Sequence, residues 1–202
     1  MKKLTSSLLV IATVMVTAFK PDTTTELAIG AKIPKPDYKM LDVSGKEISL
    51  NDAKGENGLL VIFSCNTCPY VKLSETRIKE VAAFAKRNKV GMILVNSNEA
   101  QREAEDSFEE MKKYAQAQKY DFYYTVDKNS QLADAFGATR TPHVFLFDKN
   151  ALAYKGAIDD NIRDAASVKD AFLKDAIVAI GSGKAVKTTS SKSVGCSIKR
   201  VE

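Results

Sequence analysis

The sequence has very few of the residues that build metal sites. It contains one histidine, His143, and three cysteines, Cys65, Cys68 and Cys196. A structural zinc site takes four Cys or His ligands, and only His143 and the distant Cys196 are available to join the close pair Cys65 and Cys68. Zinc or copper binding by that pair stays open as an alternative, but the sequence predicts no metal and no other cofactor.

Long hydrophobic runs and clustered charge are also absent. The apolar stretch within residues 1–18 is shorter than the roughly 20 residues needed to span a bilayer. The net charge is +5, both signs are interspersed, and the only basic concentration is a Ser/Thr-rich tail over 184–200. Nucleic-acid binding typically needs clustered basic residues with aromatic residues between them. The sequence therefore predicts no nucleic-acid partner, and the weak alternative of a membrane anchor is confined to the N-terminus.

The N-terminal segment has the parts of a secretory signal peptide. Lys2 and Lys3 precede an uncharged apolar stretch, and Val16 and Ala18 are the small residues that a signal peptidase requires. We expect cleavage after Ala18 and export to the periplasm or the medium, where disulfides form and persist. No cysteine follows the cut to carry a lipid, so contact with the membrane is expected only through the export signal.

The remaining chain predicts one domain between two segments without regular structure. After the signal peptide we expect a flexible segment over 19–29, a folded domain over 30–181 and a C-terminal tail over 182–202 that carries Cys196. Repeats are absent, and no pattern specifies an oligomeric state.

Strand-like and helix-like segments alternate within the predicted domain. Residues 59–63 and 90–95 are continuous apolar runs, typical of strands buried on both faces. The stretch 70–88 between them carries an apolar stripe at helical spacing. These three elements predict a right-handed βαβ unit. Further predicted elements are a hairpin over 38–50, a helix over 107–118, an edge strand over 122–126, a short helix over 131–136, a hairpin over 144–157 and a last helix from Ser167 to Gly181. The order indicates an α/β sandwich with a mixed sheet.

The tetrapeptide Cys65-Asn-Thr-Cys68 lies between the first buried strand and the long helix. Free N–H groups and the positive end of the helix dipole lower the pKa of a thiol at such a position. We therefore predict a thiolate at Cys65, the species that attacks disulfides, with Cys68 one turn further along to bond back to it. Pro69 fits the first turn of the helix. A purely structural disulfide is the remaining alternative, although its loop is too short to stabilise the fold much.

Five segments in a fixed order resemble the peroxiredoxin-like redoxins of the thioredoxin-like superfamily. They are CNTCPYVK at 65–72, VNSN at 95–98, TPHVFLFD at 141–148, YKGAIDDN at 154–161 and GCSIKR at 195–200. The resemblance implies a thioredoxin-like three-layer sandwich and thiol–disulfide exchange with protein or small-molecule thiols and disulfides. Cys65 would be the nucleophile and Cys68 the resolving thiol, while Thr141 and Pro142 would form a cis-proline loop that faces them and pairs with an extended substrate.

The sequence also departs from the patterns of two related families. Thioredoxin has Trp before its first cysteine and a buried Asp six residues ahead of it, where this chain has Ser64 and Leu59. Peroxiredoxins place Pro seven and Thr three residues ahead of the peroxidatic cysteine, and neither cysteine of the pair is preceded in this way. Arg140 could supply the cation that binds peroxide, but not the whole site. Peroxidase activity is therefore the alternative function, beside a metal-binding or partner-binding module on a redoxin fold.

Two further side chains are accessory candidates. An extended tail from residue 182 spans roughly 50 Å by residue 196, so Cys196 can return to the site. There it would resolve a mixed disulfide or a sulfenic acid on Cys65; the alternative is a packed or capped thiol. His143, directly after Pro142, would favour the thiolate when protonated, unless it is only a half-exposed polar residue at the start of a strand.

Overall fold

A seven-stranded mixed sheet forms the centre of the fold. The computed structural model describes residues 25–201, so the predicted signal peptide lies outside the described residues. In sheet order the strands are β2 (Glu47–Ile48), β1 (Met40–Asp42), β5 (Tyr123–Val126), β4 (Val90–Asn96), β3 (Gly58–Ser64), β7 (His143–Phe147) and β8 (Leu152–Gly156). A separate two-stranded sheet joins β6 (Arg140–Thr141) to β9 (Cys196–Ser197).

The predicted βαβ unit is present at the middle of this sheet. All seven residues of β3 are buried, as a continuous apolar run predicts for a central strand. β3 runs parallel to β4, with Phe63 opposite Val95, and antiparallel to β7, with Phe63 opposite His143. The carboxyl end of β3 therefore lies inside the sheet, between two neighbouring strands, where the next residues of the chain are held from both sides.

Five helices cover the two faces of the sheet. They are α1 (Leu50–Ala53), α2 (Pro69–Arg87), α3 (Phe108–Gln118), α4 (Gln131–Phe136) and α5 (Phe172–Gly181). Apolar residues of α2, α3 and α5 share one core cluster, and those of α1 and α4 share the other. The α/β sandwich of three layers is thus confirmed. Across residues 25–201, no helix has the length and apolarity required to cross a bilayer.

Three details of the chain differ from the sequence-based expectations. β5 pairs with both β1 and β4, so it is an interior strand and not an edge strand. The last helix begins at Phe172 after Ala171, because Ser167 is engaged upstream in a turn in which its hydroxyl donates to Asp164 at 2.5 Å. The segment before residue 30 is fixed at Leu27, whose N–H donates to the Phe136 carbonyl at 2.9 Å, so the predicted domain boundary is too late.

A buried ion pair ties α2 to the loop that follows β8. One guanidinium nitrogen of Arg77 lies 2.8 Å from each carboxylate oxygen of Asp159. The guanidinium also donates to the carbonyls of Asn161 at 2.7 Å and Ile162 at 2.6 Å. Both charged side chains are less than a tenth exposed, so each depends on the other to compensate for lost hydration. The Asp159 turn therefore has a structural role.

We expect Arg77→Met to lower the free energy of unfolding by about 3–5 kcal/mol, because it leaves the Asp159 carboxylate buried and unpaired. Lys174→Met is the matched control: it removes a pair with Glu80 at 3.3 Å in which both side chains are exposed, and about 0–1 kcal/mol is expected. Urea unfolding followed by circular dichroism measures both. Equal losses in the two variants would contradict this account of the Arg77 pair.

Candidate functional site

The two cysteines lie in the short connection between β3 and α2. β3 ends at Ser64, and Pro69 is the first residue of α2. Cys68 is the N-cap, with the extended backbone angles φ −65° and ψ 121°. Proline is common at the first helical position because its missing N–H has no partner there. The free amide end of the helix is therefore at Cys68, whereas the sequence-based prediction placed it at Cys65.

Both members of the pair are buried. Cys65 is 1% exposed and Cys68 is 2% exposed. The Cys65 sulfur lies 3.4 Å from the hydroxyl oxygen of Thr141, and the Cys68 sulfur lies 3.0 Å from the carbonyl oxygen of the same residue. Thr141 thus contacts both sulfurs, one through its side chain and the other through its backbone.

The environment of Cys68 favours its thiolate. A hydrogen bond from the Cys65 thiol is the main cause that lowers the pKa of Cys68, to about 4, against the opposing effect of burial. The Cys196 thiol and the N–H of Val71 in the first turn of α2 act in the same direction. The Cys68 thiol also lies within hydrogen-bond distance of the Thr141 carbonyl oxygen, at 3.0 Å, and a donor bond to that oxygen favours the protonated form. These donors favour the ionised form of Cys68 over that of Cys65.

The environment of Cys65 has the opposite effect. Its hydrogen bond to Cys68 and its burial both raise the pKa of the Cys65 thiol, and the negative charge of Asp106 adds to this. The Thr141 hydroxyl lowers the pKa by a smaller amount. These effects favour the protonated thiol at Cys65, whereas the sequence-based prediction placed the thiolate there.

The Thr141–Pro142 peptide bond is cis, as the resemblance implied. Thr141 is fully buried and belongs to β6. A cavity of about 330 Å³ adjoins Pro142 and is also lined by Ser74, Ile158 and Val194. The cis-proline loop therefore lies between the two sulfurs on one side and a partly apolar cavity on the other.

Cys196 also reaches the site, through the C-terminal tail. Its sulfur lies 2.8 Å from the Cys68 sulfur, so the structure brings it to Cys68, not to Cys65 as hypothesised. Burial and the neighbouring Cys68 raise the pKa of Cys196 to about 11. Cys196 is only partly buried, and it is the most exposed of the three thiols.

A buried polar network holds the loop between the cysteines. Asp106 accepts hydrogen bonds from the Asn66 N–H and from the Asn96 side chain, both at 2.8 Å through the same oxygen, and from the Asn98 side chain at 2.8 Å through the other. The Tyr124 hydroxyl donates to the Asn66 side chain at 2.9 Å. Sequence reasoning singled out the VNSN segment but missed Asp106, because an aspartate among the acidic residues of a loop gives no sign of burial.

The two other accessory candidates do not reach the sulfurs. The Arg140 guanidinium donates to the Gly195 carbonyl at 3.1 Å on the exposed side of β6. His143 is buried and packs on Phe145, with ring centroids 4.6 Å apart. Alternate residues of a strand share a face, so His143 lies with Phe145 in the α1/α4 layer, whereas both cysteines belong to the other core cluster. His143 is therefore not positioned to act on the thiols.

Two features expected of the alternative functions can be checked against the structure. Within the described residues, no arginine donates a hydrogen bond to a cysteine sulfur, and no group of three or more His, Cys, Asp and Glu side chains has the placement of a metal site.

Comparison with known proteins gives the family. The Redoxin family model matches residues 28–172. The thiol-disulfide oxidoreductase ResA of Geobacillus thermodenitrificans is 25% identical over 148 residues, which cover 73% of this chain and 80% of that protein. A hypothetical protein from Sinorhizobium meliloti is 31% identical with a TM-score of 0.79, covering 88% of this chain and 97% of the other. A thioredoxin-like protein solved in its oxidised form has a TM-score of 0.60 at 17% identity, covering 78% and 99%. The fold is thioredoxin-like, and the chain belongs to the Redoxin family.

Proposed function

We propose that this oxidoreductase is exported and exchanges disulfides with partner proteins or small thiols through Cys65 and Cys68. One arrangement carries the proposal: two cysteine sulfurs at the start of α2 both contact Thr141, the residue before the cis proline. A thiolate is the form of cysteine that attacks disulfides, and the neighbouring thiol can resolve what that attack forms. The activity in the name of the Geobacillus relative supports the same chemistry.

We assign the attack to Cys68, in contrast to the role that the resemblance implied for Cys65. The Cys68 thiolate attacks one sulfur of a partner disulfide, forms a mixed disulfide and releases the partner's other sulfur as a thiolate, which takes up a proton. Cys65 then loses its proton and attacks the Cys68 sulfur. The Cys65–Cys68 disulfide forms and the second partner thiol leaves, so the partner is reduced by two electrons and the pair is oxidised. The same steps in reverse oxidise a partner dithiol.

Thr141 and Pro142 have a positioning role in this proposal. The backbone of Thr141 lies against the Cys68 sulfur, so an extended partner that displaces β9 and pairs with β6 would place its own sulfur near the attacking thiolate. Such pairing supplies main-chain hydrogen bonds that do not depend on the partner's sequence. The cavity beside Pro142 gives room for one flanking side chain of the partner.

We expect Cys68→Ser to lower the rate of insulin reduction by about 100-fold or more, because the attacking sulfur is lost. With Cys196 also replaced by serine in both variants, Cys65→Ser should instead form a mixed disulfide with the small disulfide DTNB, detectable as one added thionitrobenzoate by mass spectrometry, because attack is intact and no resolving thiol remains. A Cys68→Ser protein that forms this adduct, together with a Cys65→Ser protein that does not, would transfer the nucleophilic role to Cys65. Tight stoichiometric zinc or copper in the purified protein would favour the metal-binding alternative.

Export gives a separate prediction at the N-terminus. Cleavage after Ala18 would leave Phe19 as the first residue of the mature protein, and N-terminal sequencing of the protein recovered outside the cytoplasm measures this. Ala18→Arg should block cleavage, because signal peptidase requires a small residue at that position. Recovery of the chain in the cytoplasm with Lys2 and Lys3 still attached would contradict export.

A further inference from the structure

The last residues of the chain form an ordered segment that crosses the candidate site. The tail first runs beside β8, where the Lys155 N–H donates to the Thr189 carbonyl at 3.1 Å and the Ser191 N–H donates back to Lys155 at 3.0 Å. It then pairs antiparallel with β6 through β9, with Cys196 opposite Thr141. The tail thus lies on the backbone that adjoins the cis-proline bond.

Contacts on both sides of Cys196 hold β9 in this place. The Ile198 side chain is buried in the α1/α4 core layer, and its N–H donates to the Thr139 carbonyl at 3.0 Å. The Lys199 N–H donates to the side-chain oxygen of Asn98 at 2.9 Å. The other end of the Asn98 side chain donates to Asp106, which also fixes the loop between Cys65 and Cys68. One polar network therefore positions both the active-site loop and the tail.

The contact between two sulfurs is the consequence of this anchoring. The Cys68 and Cys196 sulfurs are 2.8 Å apart, so a small side-chain shift brings them to bonding distance. The two residues are 128 positions apart in the chain, and only the β6–β9 pairing brings them together.

We propose that Cys196 is a third exchanging thiol whose redox partner is Cys68, and that β9 occupies the place of a partner strand on β6. The proposal rests on the proposed function of Cys68 as the attacking sulfur. The fold thus holds a substrate-like strand of its own at the site, with Cys196 at the position of the partner's sulfur.

The proposed exchange has two steps. After Cys68 has attacked a partner disulfide, Cys196 loses its proton and attacks the Cys68 sulfur, the Cys68–Cys196 disulfide forms, and the partner leaves as a thiol. Cys65, once deprotonated, can then attack Cys68, which forms Cys65–Cys68 and returns Cys196 to a thiol with no net change in oxidation. The more exposed Cys196 would in this way connect the buried pair to partners in solution.

Disulfide mapping in single-cysteine-deleted variants of the full chain tests this proposal. The reduced protein is treated with oxidised dithiothreitol, remaining thiols are blocked with N-ethylmaleimide, and tryptic peptides are identified by mass spectrometry. Cys65 and Cys68 fall in the tryptic peptide 55–72, and Cys196 falls in 193–199. We expect Cys65→Ser to give the two peptides as one cross-linked species, and Cys68→Ser to give at least ten times less of it.

Three outcomes separate the proposal from the proposed function. The first outcome is that Cys196 of Cys65→Ser is found blocked and not cross-linked, while the wild type forms Cys65–Cys68 and reduces insulin. It would overturn the role of Cys196 and leave the proposed function intact. A cross-link in Cys65→Ser with no insulin reduction by the wild type would support the Cys68–Cys196 pair and overturn the proposed function. Equal cross-linking in Cys65→Ser and Cys68→Ser would overturn the specific pairing with Cys68.

A second variant tests the occupation of β6 while all three sulfurs remain. A Cβ added at Gly195 would lie 2.1 Å from the Thr141 carbonyl oxygen, so Gly195→Ala must move the tail away from β6. We expect N-ethylmaleimide to block Cys68 at least fivefold faster in Gly195→Ala than in the wild type. Ser197→Ala is the matched control, because Ser197 is exposed in the same strand, and it should leave the rate unchanged. Equal rates in Gly195→Ala and the wild type would overturn the covering role of β9.

Discussion

The hydrogen bonds that converge on the Cys68 sulfur at the start of α2 form the interaction on which the rest of the site depends. Proline at the first helical position fixes where the helix begins, and so assigns the N-cap to Cys68. A helix N-terminus favours an anion, and the thiols of Cys65 and Cys196 add donors to the same sulfur. The site therefore concentrates its negative charge on one of three cysteines.

This asymmetry divides the chemistry among the thiols. Cys65 is hydrogen-bonded, buried and near the Asp106 carboxylate, all of which favour its protonated form. A thiol held protonated does not compete for the first attack, but it can act once Cys68 has been captured in a mixed disulfide and no longer carries a charge. The buried network around Asp106 keeps the loop rigid, since every polar group it orients would otherwise be unpaired in the interior. Geometry and electrostatics thus assign an order to the steps.

The sheet explains how such distant residues meet at one point. The central position of β3 between β4 and β7 fixes the start of the cysteine loop, and the chain before β7 carries the cis-proline loop past the same end of the sheet. β9 then adds a short antiparallel strand to β6. Three segments that are far apart in sequence thereby meet at Cys68. The cysteine loop contributes the Cys65 sulfur, β6 the Thr141 carbonyl and β9 the Cys196 sulfur.

Much of this fold could be predicted from local sequence patterns. Where prediction failed, the failure has a physical cause. The uninterrupted apolar runs of β3 and β4 and the helical stripe of α2 specify a βαβ unit, because strands that are apolar on both faces must lie inside a sheet covered by helices. The N-cap of α2 could also have been predicted from the sequence, because Pro69 at the first helical position makes the preceding cysteine the cap.

Other parts of the site depend on contacts that leave no local mark in the sequence. The Asp106 carboxylate is buried against two other segments, the loop between the cysteines and the VNSN segment. The return of Cys196 depends on β6 and on Asn98, neither of which changes the composition of the tail. Strand alternation shows which residues share a face with His143, but the sequence does not show which helices cover that face.

The most direct test of the account is the ionisation of Cys68. The absorbance of reduced protein at 240 nm, minus that of Cys68→Ser, reports this thiolate between pH 3 and pH 10. Because the pKa is lowered, the thiolate should persist throughout neutral pH and disappear only as the pH falls through about 4. A difference signal that first rises near pH 8.5, the ordinary range of a free cysteine, would show that the start of α2 does not hold an anion at Cys68 and would contradict the account.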